Sequence, residues 1–152
     1  MNQAKDDLKG YELITRHLVM SRHLNIFGNL YGGNLLAWLD ESAYLFVQQQ
    51  VGYANFVTVN FDDVNFKAPG HRGDAILIYG RLLKHGRSSI TLGLRAMVIE
   101  PETGTRKEVI SCRVTFVALD EEGTVFPYFT TDRYKEWCRE KAMEMNLMIP
   151  NL

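Results

Sequence analysis

The chain is poor in cysteine: among its 152 residues only Cys112 and Cys138 carry thiols. With no export signal ahead of them, two such residues read as reduced thiols and not as a disulfide framework. A charge excess of either sign is also missing, since 17 Lys and Arg stand against 18 Asp and Glu for a net charge of -1. Binding DNA or RNA by charge needs a basic surplus, so no nucleic-acid partner is expected. Long apolar runs are absent too. The charge-free stretch 42–61 carries Gln48, Gln49, Gln50, Asn55 and Asn60, too many amides for a membrane span. Residues 1–7 are polar and no apolar segment of the secretory kind follows them, so a cytoplasmic protein without membrane attachment is expected. His17, His23, His71 and His85 fall in no metal-ligand spacing, and neither cysteine has a close partner, so no metal is expected.

Several catalytic signatures are missing as well. There is no G-x-S-x-G nucleophile turn, no G-x-x-x-x-G-K-[ST] phosphate loop and no G-x-G-x-x-G after a strand. Serine-triad hydrolysis therefore has little support, and nothing calls for a bound cofactor. No internal repeat or low-complexity segment is visible. With 46% hydrophobic and 23% charged residues, the chain fits one globular domain and neither disorder nor a fibrous repeat.

What is present is a change of period along the chain. Residues 12–20 hold a short, imperfect alternation that suggests a first strand. The segment from Asn25 to Gly33 has three glycines and two asparagines and reads as a loop able to take unusual backbone angles. From residue 34 to about 50, Leu35, Leu36, Leu39, Ala43, Phe46 and Val47 recur at three and four, the spacing of an amphipathic helix, and Gly52 is its expected stop. Asp40 lies at the margin of that apolar stripe, whereas Glu41 points to the far side. Val57, Val59 and Phe61 then alternate with Thr58 and Asn60, and Val64 and Phe66 resume after a phase slip at Asp62–Asp63 that suggests a bulge. Three long strands are expected at 74–83, 88–99 and 107–119, joined by short glycine-containing connections as antiparallel hairpins require. A helix followed by such a meander is α+β. Residues 132–145 read as a C-terminal helix packed outside the sheet, with Tyr134, Trp137, Cys138 and Met145 as its apolar set. Trp38, Phe61, Phe66, Tyr79 and Phe116 are many large side chains for so small a body, which favours dimerisation.

The chemistry rests on a spacing. Asn25 in the loop, Gly32 and Gly33 at the helix start, and Asp40 about two turns into the helix bring an amide, free backbone N–H groups and a carboxylate into one segment. First-turn N–H groups lack intrahelical partners and carry the positive end of the helix dipole, so they suit a developing oxyanion, and glycine lets a substrate approach that backbone. Each residue has an ordinary alternative: Asp40 as a surface carboxylate, Asn25 as a turn residue bonding its own backbone, the glycines as a sharp helix start. His23, Lys84 and His85 read as surface residues.

Asn25-x-x-Gly28-x-x-Tyr31-Gly32-Gly33, followed by a helix bearing Asp40-Glu41-x-Ala43, resembles the hotdog-fold acyl-CoA thioesterases, in particular the bacterial short- and medium-chain hydrolases and the eukaryotic cytosolic acyl-CoA hydrolases. Val57-Thr58-Val59, Phe66-Lys67-x-Pro69, Gly73-Asp74 and Gly86-Arg87-Ser88-Ser89 also fit. The likeness covers roughly residues 12–127. It implies a hotdog fold, a long central helix wrapped by a five-stranded antiparallel sheet, with residues 1–127 as the thioesterase domain and 128–152 as a C-terminal helical extension rather than a second domain. It implies hydrolysis of acyl-CoA to a carboxylic acid and free coenzyme A. Asp40 would then activate water or attack the thioester directly, Gly32 or Gly33 would supply the oxyanion donor, and Asn25 would come from the other subunit. Thr58, Val59, Gly86, Arg87, Ser88 and Ser89 would meet coenzyme A, with the guanidinium of Arg87 suited to phosphate. The assembly implied is at least a homodimer, and a hexamer of three dimers is the leading candidate.

Two alternatives remain at this stage. A hotdog dehydratase or hydratase would resemble a histidine-plus-carboxylate arrangement, and this helix has no histidine. A non-catalytic acyl-CoA binding or sensing module would need no water activator, and the pairing of Asn25 with Asp40 argues against it. Tyr44, Phe46, Phe56 and Phe61 are the candidate acyl-pocket residues, whereas the preferred chain length is not written in the sequence.

Overall fold

The computed structural model describes residues 8–144. Strand β1 (Glu12–Leu18) is followed by a 3-10 turn at Ser21–His23 and by helix α1 (Gly32–Val51). Strands β2 (Phe56–Phe66), β3 (Ala75–His85), β4 (Ser89–Ile99) and β5 (Arg106–Ala118) come next, then a second 3-10 turn at Tyr128–Thr130 and helix α2 (Asp132–Glu144). All five strands form one antiparallel sheet in the order β1-β3-β4-β5-β2, so β1 and β2 are its edges. The expected long helix wrapped by a five-stranded sheet is what the chain builds.

The helix forms where the three-and-four spacing lies. Leu35, Leu39, Ala43, Val47 and Val51 are buried, and so is Ser42. They pack on one face of the sheet, against Ile76 and Ile78 of β3, Leu92 and Leu94 of β4, and Val114 and Phe116 of β5. Full burial of one such aliphatic side chain stabilises by about 1.5–3 kcal/mol, so this seam is the main source of stability. Gly52 ends the helix as expected: it takes φ +67° and donates its N–H to the carbonyl of Gln48. On the opposite face, Leu77, Tyr79, Met97 and Leu8 form a smaller apolar group.

Several expectations are corrected. Tyr79 and Phe116 are buried within the protomer, so they leave no excess to cover. The alternation of Val57, Val59 and Phe61 does not survive either. Val59 sits between paired residues Thr58↔Phe116 and Asn60↔Thr115 with no partner of its own, a bulge that reverses the strand's phase. Val57 and Val59 therefore stay exposed while Phe61 is half-buried and packs on the core. The slip at Asp62–Asp63 is a second irregularity, as expected: register shifts between Asp62 and Asn65, and Asp63 takes φ +48°.

Helix α2 is capped by Thr131, the residue before it, whose Oγ1 accepts the N–H of Tyr134. Tyr134, Trp137 and Cys138 are buried in the same core cluster as α1, and Met145 lies outside the described residues. The segment closes one end of the core and does not merely lie beyond the sheet. Trp137 Nε1 donates to Gln50 Oε1 on α1 at 2.8 Å. His85 is exposed, as the sequence suggests, and its Nδ1 lies 2.8 Å from the Tyr134 hydroxyl.

Candidate active site

Helix α1 begins without a side-chain cap. Its N-cap residue, Tyr31, makes no capping hydrogen bond, and the first intrahelical bond runs from Leu35 N–H to Tyr31 O at 3.2 Å. The N–H groups of Gly32, Gly33 and Asn34 precede that bond and so have no carbonyl within the helix to donate to. A side chain at either glycine would be crowded: a Cβ on Gly33 would lie 2.5 Å from the Tyr31 ring, and one on Gly32 would lie 3.2 Å from Phe66. Glycine at both positions keeps the positive end of the dipole bare.

The loop before the helix is a tight, self-bonded turn. Asn25 Oδ1 accepts the N–H of Phe27 at 2.9 Å and of Asn29 at 3.1 Å, Asn25 N–H donates to Asn29 O at 2.7 Å, and Gly28 turns the chain at φ +79°. The ordinary turn role expected for Asn25 is thus real, and it is compatible with a further one. Two backbone donors fix which end of the amide is oxygen, and the donor end, Nδ2, is what remains for a substrate. The loop is tied to the helix start by Tyr31 N–H and Asn34 Nδ2, which both donate to His23 O, and to β3's approach by Leu30 N–H to Gly70 O.

Asp40 is half-buried, and its Oδ1 accepts a 2.6 Å hydrogen bond from Thr58 Oγ1. The bulge at Val59 comes directly after Thr58, a position where such irregularities re-aim a side chain. The sequence resemblance groups Thr58 with coenzyme A contacts and gives no sign of its bond to the helix carboxylate. The regular look of Val57, Val59 and Phe61 gives no sign of this bulge, which is distinct from the slip at Asp62–Asp63. Val59 itself is exposed, on the open edge.

Within one protomer these groups do not all converge. No hydrogen bond joins Asn25 to Asp40, and the seven-residue step from Gly33 to Asp40 spans roughly 11 Å of helix. The 86–89 turn is at the other end of α1, against the C-terminal segment: Tyr128 donates its hydroxyl to Ser89 O at 3.0 Å, and the Arg87 guanidinium sits 5.9 Å from the centroid of Phe129. Of the expected acyl-pocket residues, Phe56 is core, packed edge-on against Tyr53 and Tyr128, while Tyr44, Phe46 and Phe61 are half-buried. Among the described residues no cluster of His, Cys, Asp and Glu could hold a metal ion, and no helix is long and apolar enough to cross a membrane.

Residues 27–105 match the thioesterase superfamily. Over 110 residues the chain is 38% identical to an uncharacterized acyl-CoA thioester hydrolase of Zymomonas mobilis, covering 70% of this chain and 71% of that protein. Its fold is similar to that of a hexameric broad-specificity acyl-coenzyme A thioesterase, with a TM-score of 0.74 and 30% identity over 87% of this chain and 88% of the other. It is also similar to a hexameric thioesterase from Yersinia pestis, with a TM-score of 0.71 and 30% identity over 76% of this chain and 93% of the other.

Proposed function

Because the chain belongs to the thioesterase superfamily and hydrolyses acyl-CoA thioesters, we propose that Asp40 is the base that activates water and that the N–H groups of Gly32 and Gly33 hold the oxyanion. The observation that carries this reading is the Thr58 hydroxyl bonded to Asp40 Oδ1, on a strand that bulges at the next residue. One carboxylate oxygen is oriented by Thr58, and the other is left to take a proton from water. Water attacks the thioester carbon as Asp40 accepts its proton, and the carbonyl oxygen gains negative charge against the bare helix start. The C–S bond then breaks. Coenzyme A leaves as a thiolate that takes the proton back from Asp40, and a carboxylic acid is released.

The helix start and the carboxylate of one chain are too far apart to serve one carbonyl, so the complete site is shared between two copies. Strand β2 supports the same assembly. It is an eleven-residue sheet edge with Val57, Val59, Val64 and Phe66 exposed, a template for pairing that a second copy would cover. The Asn25 amide of one subunit then orients the thioester over Asp40 of the other, and a homodimer is the minimal unit of the hexamer we assign to it. Arg87 and the turn around it meet the phosphates of coenzyme A. The cytoplasm suits this chemistry, and both cysteines are unpaired and buried, with the Cys112 thiol pushed up to about 12 by burial and hence inert.

Mixing decides it. Asn25→Ala and Asp40→Asn proteins, each inactive in a free-thiol release assay, are dissociated together and reassembled. Random pairing makes half of the dimers mixed, each with one intact site, so about a quarter of wild-type activity should return. If native mass spectrometry shows mixed dimers and the mixture stays inactive, the shared site is wrong.

A further inference from the structure

The best-held aromatic cluster of the molecule plays no part in the chemistry above. Tyr128, buried from solvent, donates its hydroxyl to Ser89 O, which also accepts the N–H of Gly86 across the turn at 2.8 Å. Burial pushes the Tyr128 phenol upward, so it stays protonated and remains a donor. Ser88 O accepts the N–H of Ala118 at 2.8 Å, and His85, the last residue of β3, is bonded to Tyr134. Phe129 lies under the Arg87 guanidinium. The turn is thus gripped at its base, at its closing carbonyl and at its one charged side chain, mostly by residues 128–134. Those residues lie beyond the 27–105 segment that matches the superfamily.

An unsupported turn of one glycine and two serines would be mobile, and an arginine on it would lose rotamer freedom on meeting a phosphate. A guanidinium already lodged over an aromatic ring has lost part of that freedom. Its N–H groups remain donors for an anion, because a contact with an aromatic ring supplies them no hydrogen-bond acceptor oxygen.

We propose that Tyr128 and Phe129 are positioning residues for coenzyme A binding: they hold the 86–89 turn and the Arg87 side chain in place for the phosphates of the nucleotide end. The inference rests on the reading that this turn meets coenzyme A. It assigns the C-terminal segment a role in affinity for the carrier and none in the hydrolytic step.

The test compares two substrates with the same acyl group, one an acyl-CoA and the other a simple acyl pantetheine lacking the nucleotide. Tyr128→Phe, which removes only the hydroxyl, should raise the KM for acyl-CoA about fivefold, the size of one neutral hydrogen bond. The KM for the pantetheine thioester and the turnover number should hold. Phe129→Leu should raise the ratio of the two KM values about threefold, and Phe129→Tyr, which keeps the ring, should restore it. If both substrates suffer equally in these variants, the residues are merely structural and the inference falls. If Arg87→Ala shifts the KM ratio while Tyr128→Phe and Phe129→Leu do not, the inference falls and the reading of the turn stands. If Arg87→Ala leaves the ratio unchanged, the reading of the turn falls and takes the inference with it.

Discussion

At its start, helix α1 has no side-chain cap, two glycines in its first turn, and a preceding loop whose Ile26 and Phe27 are 93% and 80% exposed. At its end, Gly52 caps the helix, Gln50 accepts from Trp137, and Tyr128, Tyr134 and Trp137 close the core over Val51. One end leaves backbone donors unsatisfied and apolar side chains in water, both of which cost stability unless something else covers them. The other end satisfies its polar groups and buries its apolar ones. The contrast teaches where the fold gives up stability for chemistry: changes at the open end and in the adjoining carboxylate should alter rate with little effect on folding, and changes at the closed end should do the reverse.

The closed end should show the largest effect. Trp137→Ala removes a side chain that is 6% exposed together with its hydrogen bond to Gln50. It should destabilise by about 3–5 kcal/mol in chemical denaturation, with the turnover number per folded molecule kept. A variant that unfolds like wild type but turns over slowly would erase the distinction between the two ends. Asp40→Asn should do the opposite, lowering the turnover number by at least about 10²-fold with Tm and assembly held, as measured by free-thiol release and thermal melting. Activity near wild type would remove Asp40 from the mechanism.

Thr58 sharpens the comparison within the site itself. Thr58→Val deletes the hydroxyl that Asp40 Oδ1 accepts and keeps the shape, so the turnover number should fall about tenfold, the scale of a hydrogen bond to a charged group. Thr58→Ser keeps the donor and should recover most of the rate. If valine and serine behave alike, the bond does not orient the base.

Much of this architecture was legible in the sequence because local rules and tertiary packing agree. The three-and-four spacing located α1 to within two residues at its start and one at its end, and Gly52 stops it as expected, through a left-handed cap. Gly32 and Gly33 looked like loop because glycine is a poor helix former, yet they are the first turn. The bulge at Asp62–Asp63 was visible because the pattern breaks there. The bulge at Val59 was not, because Val57, Val59 and Phe61 alternate correctly for a regular strand, and the Asp40 carboxylate that Thr58 meets lies on another element. Nor could the closed end be read. The Gln50–Trp137 and His85–Tyr134 contacts join positions far apart in the chain, and no local periodicity encodes them.

The smallest effect concerns a partly buried polar chain near the open end, of which Ser42 alone is fully buried. His17 stacks on Trp38 with ring centroids 4.6 Å apart and planes 7° from parallel, and its Nε2 lies 3.1 Å from Thr15 Oγ1. Thr15 Oγ1 in turn meets Ser42 Oγ, which donates to Trp38 O. Trp38 and Asp40 are two residues apart on the helix and so point about 200° away from each other, which separates this stack from the face that carries Asp40. Burial holds His17 below its ordinary value, with Glu41 opposing the shift and His23 adding to it. A histidine whose folded pKa is depressed binds fewer protons folded than unfolded, so its contribution to stability is present above the ordinary value of 6.5 and is lost as pH falls below it. Denaturation midpoints taken from about pH 8 down to about pH 5, the range in which histidine titrates, should therefore decline for wild type more steeply than for His17→Gln, and the turnover numbers of the two proteins should stay parallel. Identical slopes would mean that the stack does not discriminate between the two protonation states. A turnover difference confined to low pH would mean that the stack is coupled to Asp40, and the open end would then have a structural side that communicates with its chemical one.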